Sequence, residues 1–197
     1  MQKYKLLNNI FGWLMFFFAA VVYTLTMETS GSFWDCGEFI SGCYRLQVVH
    51  PPGAPFFLML GRLFTLLGGE DGSRIAMMVN WMSALATAGA VMFTFWTTTA
   101  LAKKFLMRDN NYSDGKIFTV IGAGLIAATS CTFLDSLWFS AVEGEVYALS
   151  QFFMSIIVWM IMKWDADDSP YADHWIVLIA YMTGLSIGCL LYTSRCV

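Results

Sequence analysis

The sequence predicts an all-α, polytopic membrane protein, and three observations carry that prediction. The 197 residues are 58% hydrophobic and only 13% charged, more apolar surface than a soluble domain of this length can hide. The apolar residues gather in long runs, at about 10–27, 75–102, 117–133 and 143–163, with charges at their edges rather than their middles; such runs read as membrane-spanning helices. Six of the eleven Lys and Arg residues fall into two groups, 3–5 and 103–116, as expected if both lie on the cytoplasmic side.

Lys3 and Lys5 lead into the first run. The run is too long for a signal peptide, and no small-x-small cleavage site follows it. It is expected to be a first membrane helix with a cytoplasmic N-terminus. The next segment, 28–53 (ETSGSFWDCGEFISGCYRLQVVHPPG), is then external. Within it, 35–46 mixes polar and apolar residues and suits a short amphipathic helix at the interface. Asp35 and Glu38, three apart, then share a face. Gly37 and Gly42 weaken that helix. His50 precedes Pro51-Pro52-Gly53, so its backbone is extended and the turn is stiff. Pro55 suits the first position of a following helix.

Residues 56–67 form an apolar stretch too short to span. Charge decides its place. If it lies on the outer surface, Lys103, Lys104 and Arg108 fall inside with Lys116, obeying the positive-inside bias. Residues 54–70 are therefore expected to be an outer juxtamembrane helix, where Arg62 either snorkels or meets a phosphate. The helix at 75–102 runs inward and that at 117–133 runs outward. An outer corner at 134–140 follows. A fourth helix begins near Glu143 and returns inside to Lys163. Asn111-Tyr112-Ser113 matches a glycosylation sequon but lies on the cytoplasmic side of this topology. A fifth apolar stretch starts at Trp175.

Residues 189–197 (CLLYTSRCV) resemble the translation of a transposon end used in sequencing libraries, joined to its reverse complement. The expectation is an artefact there and a natural chain that continues beyond Gly188, residues 1–188 being the N-terminal part of a transmembrane domain. Cys36 and Cys43 do not read as a disulfide: seven helical residues separate them by about 10 Å. No Cys/His spacing marks a zinc site. No basic patch with interleaved aromatics points to nucleic acid.

This topology puts Asp35, Glu38, His50, Asp135, Glu143 and Glu145 on the outer side at or near membrane depth. Ionisable groups there are costly and mark a functional site by default. Glu28, Glu70 and Asp71 read as solvated loop residues. Asp35, beside Phe33-Trp34, is expected to be desolvated, which tunes a carboxylate toward base chemistry. Glu143 and Glu145 flank a glycine at the mouth of an apolar helix, where acids also favour the helix dipole. Glu143 and Tyr147, four apart, then share a face. His50 either binds a phosphate or caps the turn. Arg45 either pairs with Asp35 or Glu38 or grips a phosphate.

The order of these features resembles the GT-C class of integral-membrane glycosyltransferases, and within it the protein O-mannosyltransferases. The matching residues are Asp35 with Glu38 in the first outer loop, then His50-Pro51-Pro52 leading into a juxtamembrane helix. FWDCGEFI, HPPGAPFFLMLGRLF and AVEGEVYAL together look more closely like a family of multi-spanning proteins common in Bacteroidota, with animal relatives among the protein O-mannosyltransferases. The resemblance covers residues 10–188. It implies a GT-C-like fold in a bacterial inner membrane, with the active loop periplasmic. It implies inverting transfer of a mannose-like sugar from a polyprenyl-phosphate donor to Ser or Thr of an exported protein, by an enzyme of which this chain is an inactive front end. In that class the first-loop acid is the general base, so Asp35 is the candidate and Glu38 a helper. By the resemblance His50 and Arg45 approach the donor phosphate; Glu143, Glu145 and Tyr147 are candidate substrate contacts on their own placement. The mannosyltransferases have adjacent Asp-Glu, whereas two residues intervene here, which leaves the base open between Asp35 and Glu38. No cofactor or metal is implied beyond the lipid-linked donor. The competing reading is a transporter or flippase. It predicts charged or glycine-broken positions near mid-membrane in several helices, whereas 75–102 and 117–133 carry no acidic or basic residue.

Overall fold

A computed structural model describes residues 1–51, 53–108 and 112–189. Pro52 of the His-Pro-Pro turn, Asn111 of the sequon and residues 190–197 of the tail lie outside the described residues. The described chain is helical throughout, in eight elements: α1 Gln2–Thr26, α2 Cys36–Arg45, α3 Pro55–Gly68, α4 Gly72–Leu106, α5 Asp114–Thr132, α6 Asp135–Val142, α7 Val146–Asp165 and α8 Asp173–Ile187. Among the described residues α1, α4, α5 and α7 are long and apolar enough to cross a membrane.

The bundle is built around α4, which packs against α1, α3, α5 and α7. Small residues let it serve several neighbours at once. Ser83, Ala84, Thr87, Ala88 and Ala90 are buried along it, and such residues allow close helix approach in lipid. Gly89 lies against the Phe152 ring and Gly124 against Phe95 and Thr99, so a side chain at either glycine meets an occupied space.

The lysine-bearing ends gather at one end. Lys3 pairs with Asp114 at 2.7 Å and Lys104 with Asp165 at 2.6 Å. These bridges tie α1 to the start of α5 and α4 to the end of α7. The first helix begins at Gln2 rather than near Ile10 because Tyr4 is buried against the bundle and stacks near Tyr112.

At the other end α3 runs back along α4 without crossing the bundle. Gly68 abuts the backbone of Arg74 and Ile75, and Phe64 lies on Trp81. The Phe56 ring sits 5.6 Å from that of Phe153, and the Phe56 amide donates to the Gly188 carbonyl at 3.1 Å. Both ends of α3 therefore stay at the end of the bundle that carries 28–53, as charge required. Pro55 opens the helix, as expected. Asp71 caps α4 by accepting from the Ser73 amide at 3.0 Å. The corner at 134–140 is itself helical, as α6. It is held where Tyr23 donates to the Thr132 carbonyl at 2.9 Å and packs edge-on against Trp138.

Candidate active site

The loop from α1 to α2 is fixed before any charged group is placed. Asn80, fully buried on α4, donates from Nδ2 to the carbonyls of Glu28 at 2.8 Å and Ser30 at 3.0 Å. The Glu28 amide donates to the Val142 carbonyl at 2.9 Å. The chain then reaches Trp34, whose φ of 63° is left-handed and turns the backbone into α2 with Asp35 at its N-cap. A non-glycine residue in that region stores strain, a feature that clusters at functional sites.

The two weak glycines of α2 divide. Gly37 faces open space, but a side chain at Gly42 would lie 2.7 Å from Val49 and 3.1 Å from Leu58. Gly61 of α3 comes against the Cys43 sulfur. Close approach, not helix propensity, fixes Gly42 and Gly61. Arg62 completes the joint: its guanidinium donates to the Tyr44 carbonyl at 2.6 Å and lies 5.3 Å from the Tyr44 ring centroid. It serves the α2–α3 contact rather than snorkelling. Leu46 closes α2 with φ 51°, and the chain returns so that His50 meets the start of the helix.

There Asp35, Glu38 and His50 converge. The Glu38 carboxylate accepts from the His50 backbone amide at 2.6 Å and bonds its ring Nδ1 at 2.8 Å. His50 Nε2 lies 3.8 Å from Asp35. The hydrogen bonds from His50 hold the Glu38 carboxyl below its ordinary range, and the same contact raises His50, with Asp35 and Glu145 adding to it. One donor atom each from Asp35, Glu38 and His50 lies within 4.8 Å of the others. A divalent cation fits that spacing, with Asp35 and His50 Nε2 free to reach it, but full use of Glu38 means breaking its bonds to His50.

The Glu-Gly-Glu segment forms the opposite wall. A side chain on Gly144 would lie 2.9 Å from Val79 and 3.0 Å from Asn80 Oδ1. The glycine lets the segment pass against α4. Glu143 is turned inward at 4% exposure, while Glu145 is half-buried and faces the Asp35–His50 cluster. Burial raises Glu145 above the ordinary carboxylate range, reinforced by Glu143 and Asp35 and partly offset by His50. Cys36, fully buried beside the backbone of Ser32 and Gly144, joins the two walls; burial pushes its thiol up. Cys36 and Cys43 are both free thiols, not a disulfide.

The structure thus brings Asp35, Glu38, His50 and Glu145 together, with Glu143 behind. Three expectations are corrected. Asp35 is not desolvated: its side chain is 56% exposed, and Phe33 and Trp34 face outward at 87% each. Glu143 and Tyr147 do not share a helix face, because α7 starts only at Val146; Glu143 is buried and Tyr147 exposed. Arg45 pairs with neither Asp35 nor Glu38 among the described residues, since it closes the ten-residue helix that Asp35 caps, about 15 Å along the axis. Asn80 is the residue that sequence reading missed. Its signal was a lone amide inside an apolar run.

A family profile described as the protein O-mannosyl-transferase TMEM260 N-terminal domain matches residues 35–194. The chain is similar to protein O-mannosyl-transferase tmem260 of Dictyostelium discoideum, 26% identical over 147 residues, covering 75% of this chain and 16% of that protein. It is similar to protein O-mannosyl-transferase TMEM260 of Mus musculus, 28% identical over 169 residues, covering 85% of this chain and 22% of that protein. The chain thus spans about a fifth of the length of these curated relatives. No solved structure matches.

Proposed function

The chain belongs to the family of the protein O-mannosyl-transferase TMEM260 N-terminal domain, and on that premise we propose that it carries the catalytic loop of a multi-pass membrane protein O-glycosyltransferase. The donor is a polyprenyl-phosphate sugar, mannose-like, and the acceptor is a Ser or Thr hydroxyl of an exported protein. The face carrying 28–53 is periplasmic in a bacterial inner membrane, and the lysine-rich end cytoplasmic. The full reaction needs the rest of a longer enzyme.

One observation carries the assignment of roles: Glu38 is committed to His50 by two hydrogen bonds, whereas Asp35 is 3.8 Å from the same ring and otherwise free. Asp35 is therefore the base. It takes the proton of the acceptor hydroxyl as that oxygen attacks the anomeric carbon. The bond from that carbon to the phosphate oxygen breaks on the opposite face, its electron pair leaves with the polyprenyl phosphate, and the configuration inverts. His50, whose cationic form the Glu38 contact favours, faces the phosphate charge as it develops. Arg45, exposed at the far end of α2 and unpaired among the described residues, is free to approach the donor from that side. Glu145 and Glu143 contact sugar hydroxyls, and the burial of Glu145 favours its protonated, donating form. Tyr147, exposed at the start of α7, borders the acceptor path.

The test uses the full-length protein carrying this sequence, in membranes, wild type beside Asp35→Asn. Sugar transfer from a polyprenyl-phosphate donor to an exported acceptor is followed. Loss of a general base lowers the rate about 100-fold or more, with folding unchanged. Transfer that survives Asp35→Asn removes Asp35 from the base role. A wild type that transfers no sugar from any such donor overturns the glycosyltransferase reading.

A further inference from the structure

At the end opposite the catalytic loop, α1, α4 and α7 part around a cleft of about 570 Å³. Four lysines from three helices, Lys5, Lys103, Lys104 and Lys163, line it together with Arg108. The acid in the lining, Asp165, is held by Lys104 at 2.6 Å. Among the described residues no carboxylate pairs with Lys5, Lys103 or Lys163. Two of them sit over aromatic rings instead: Lys103 Nζ is 5.8 Å from the Tyr4 centroid, and Lys163 Nζ is 5.2 Å from that of Trp159.

The cleft is graded along its depth. Trp96 and Trp159, 5.8 Å apart, form its floor. Trp96 lies about 12 Å along α4 from Lys104. Asn8 Oδ1, in the same wall, is buried with no hydrogen-bond partner. The mouth is cationic and the floor aromatic, which fits a ligand with an anion at one end and an apolar stem at the other. Like charges converging from separate helices repel until an anion joins them. Basic pockets between membrane helices are suited to lipid headgroups, and the volume lies within the usual range for a small-molecule site.

We propose that this cleft binds the phosphate headgroup of an anionic lipid from the leaflet at the lysine-rich end. Lys5, Lys103 and Lys163 surround the phosphate, and the acyl stem runs along Trp96 and Trp159. The site is separate from the catalytic loop and does not depend on the reaction assigned there.

The test is native mass spectrometry of the full chain in detergent, titrated with phosphatidylglycerol or phosphatidylcholine of matched acyl chains. The wild type is expected to prefer phosphatidylglycerol by about tenfold or more. Lys103→Gln/Lys163→Gln abolishes that preference. Lys3→Gln/Lys116→Gln, which removes as much charge from the same end outside the cleft, keeps it. A wild type without headgroup preference overturns the proposal, and that result needs no variant to fold. Equal losses in the two double variants also overturn it, by showing general surface charge. Displacement of the lipid by inorganic phosphate at the same free concentration overturns the lipid assignment in favour of a soluble anion.

Discussion

Glu38 and His50, twelve residues apart, are joined twice, through the His50 backbone amide at 2.6 Å and its ring Nδ1 at 2.8 Å. The contact closes the loop from the end of α2 back onto its first turn. It also sets a pH window. Glu38 falls below its ordinary 4.5, so its share of stability is present above that value and is lost as pH falls through the lowered one. His50 rises above its ordinary 6.5, so its share is complete below 6.5 and is lost as pH rises through the raised one. The two overlap fully between 4.5 and 6.5. Protection of the 47–50 amides from hydrogen exchange, corrected for intrinsic rates, should peak there. In Glu38→Gln the His50 ring should titrate closer to 6.5 by NMR. An unchanged His50 midpoint removes the ion pair from the account.

Asn80 is expected to matter more than any loop residue to the order of 28–35. Its amide serves two carbonyls from a fully buried position. Asn80→Ala leaves both without that donor, at about 1–3 kcal/mol per buried group. Asn80→Asp should be worse, because a carboxylate has no hydrogen to give and faces two carbonyl oxygens. Hydrogen exchange at 28–35 and melting in detergent both read the effect. Full protection of the loop in Asn80→Ala means that the Glu28–Val142 hydrogen bond suffices alone.

Much of this arrangement was legible in the chain and some was not, for reasons of range. The membrane helices, α2 and the placement of α3 at the same end as 28–53 follow from apolar length, Pro55 and the grouping of Lys103, Lys104 and Arg108, all local or additive signals. The convergence of Asp35 and Glu38 follows from helical spacing. The path of Glu143-Gly144-Glu145 does not, because it is set by Val79 and Asn80, more than sixty residues earlier. The same holds for Asp35. Aromatic neighbours in sequence suggested burial, but the left-handed Trp34 turns both rings outward. Of the two readings open for Arg45, pairing with Asp35 or Glu38 is removed by a local quantity that the sequence did hold, the length of α2.

The α2–α3 joint makes a prediction about glycine. Gly61→Ala drives a methyl group into the Cys43 sulfur and should cost about 1–3 kcal/mol by overpacking. Cys43→Ala in the same chain should recover part of it, so the pair should be non-additive. Gly115→Ala is the contrast. Nothing lies within 4 Å of the added carbon in the first turn of α5, so it should be neutral or raise stability by up to about 1 kcal/mol. Thermal unfolding of the four variants in one detergent compares them. Equal effects at 61 and 115 mean that backbone propensity, not the sulfur contact, governs Gly61.

Orientation can be read from two serines. Ser41 is exposed on α2, beside Glu38, and Ser113 is exposed at the start of α5, next to the Lys3–Asp114 bridge. Among the described residues the native thiols of Cys36, Cys43 and Cys189 are buried and that of Cys131 half-buried, so a Cys196→Ser background gives low labelling. If the catalytic loop faces outward, Ser41→Cys reacts with a membrane-impermeant maleimide on intact cells. Ser113→Cys then reacts only after lysis. The physical reason is the lysine group: moving Lys103, Lys104 and Lys116 to the outer face runs against the bias that holds basic loops inside. The reverse labelling pattern would put the Asp35–His50 cluster in the cytoplasm, away from exported acceptors. The base assignment could stand on its geometry, but the acceptor would have to be a cytoplasmic hydroxyl.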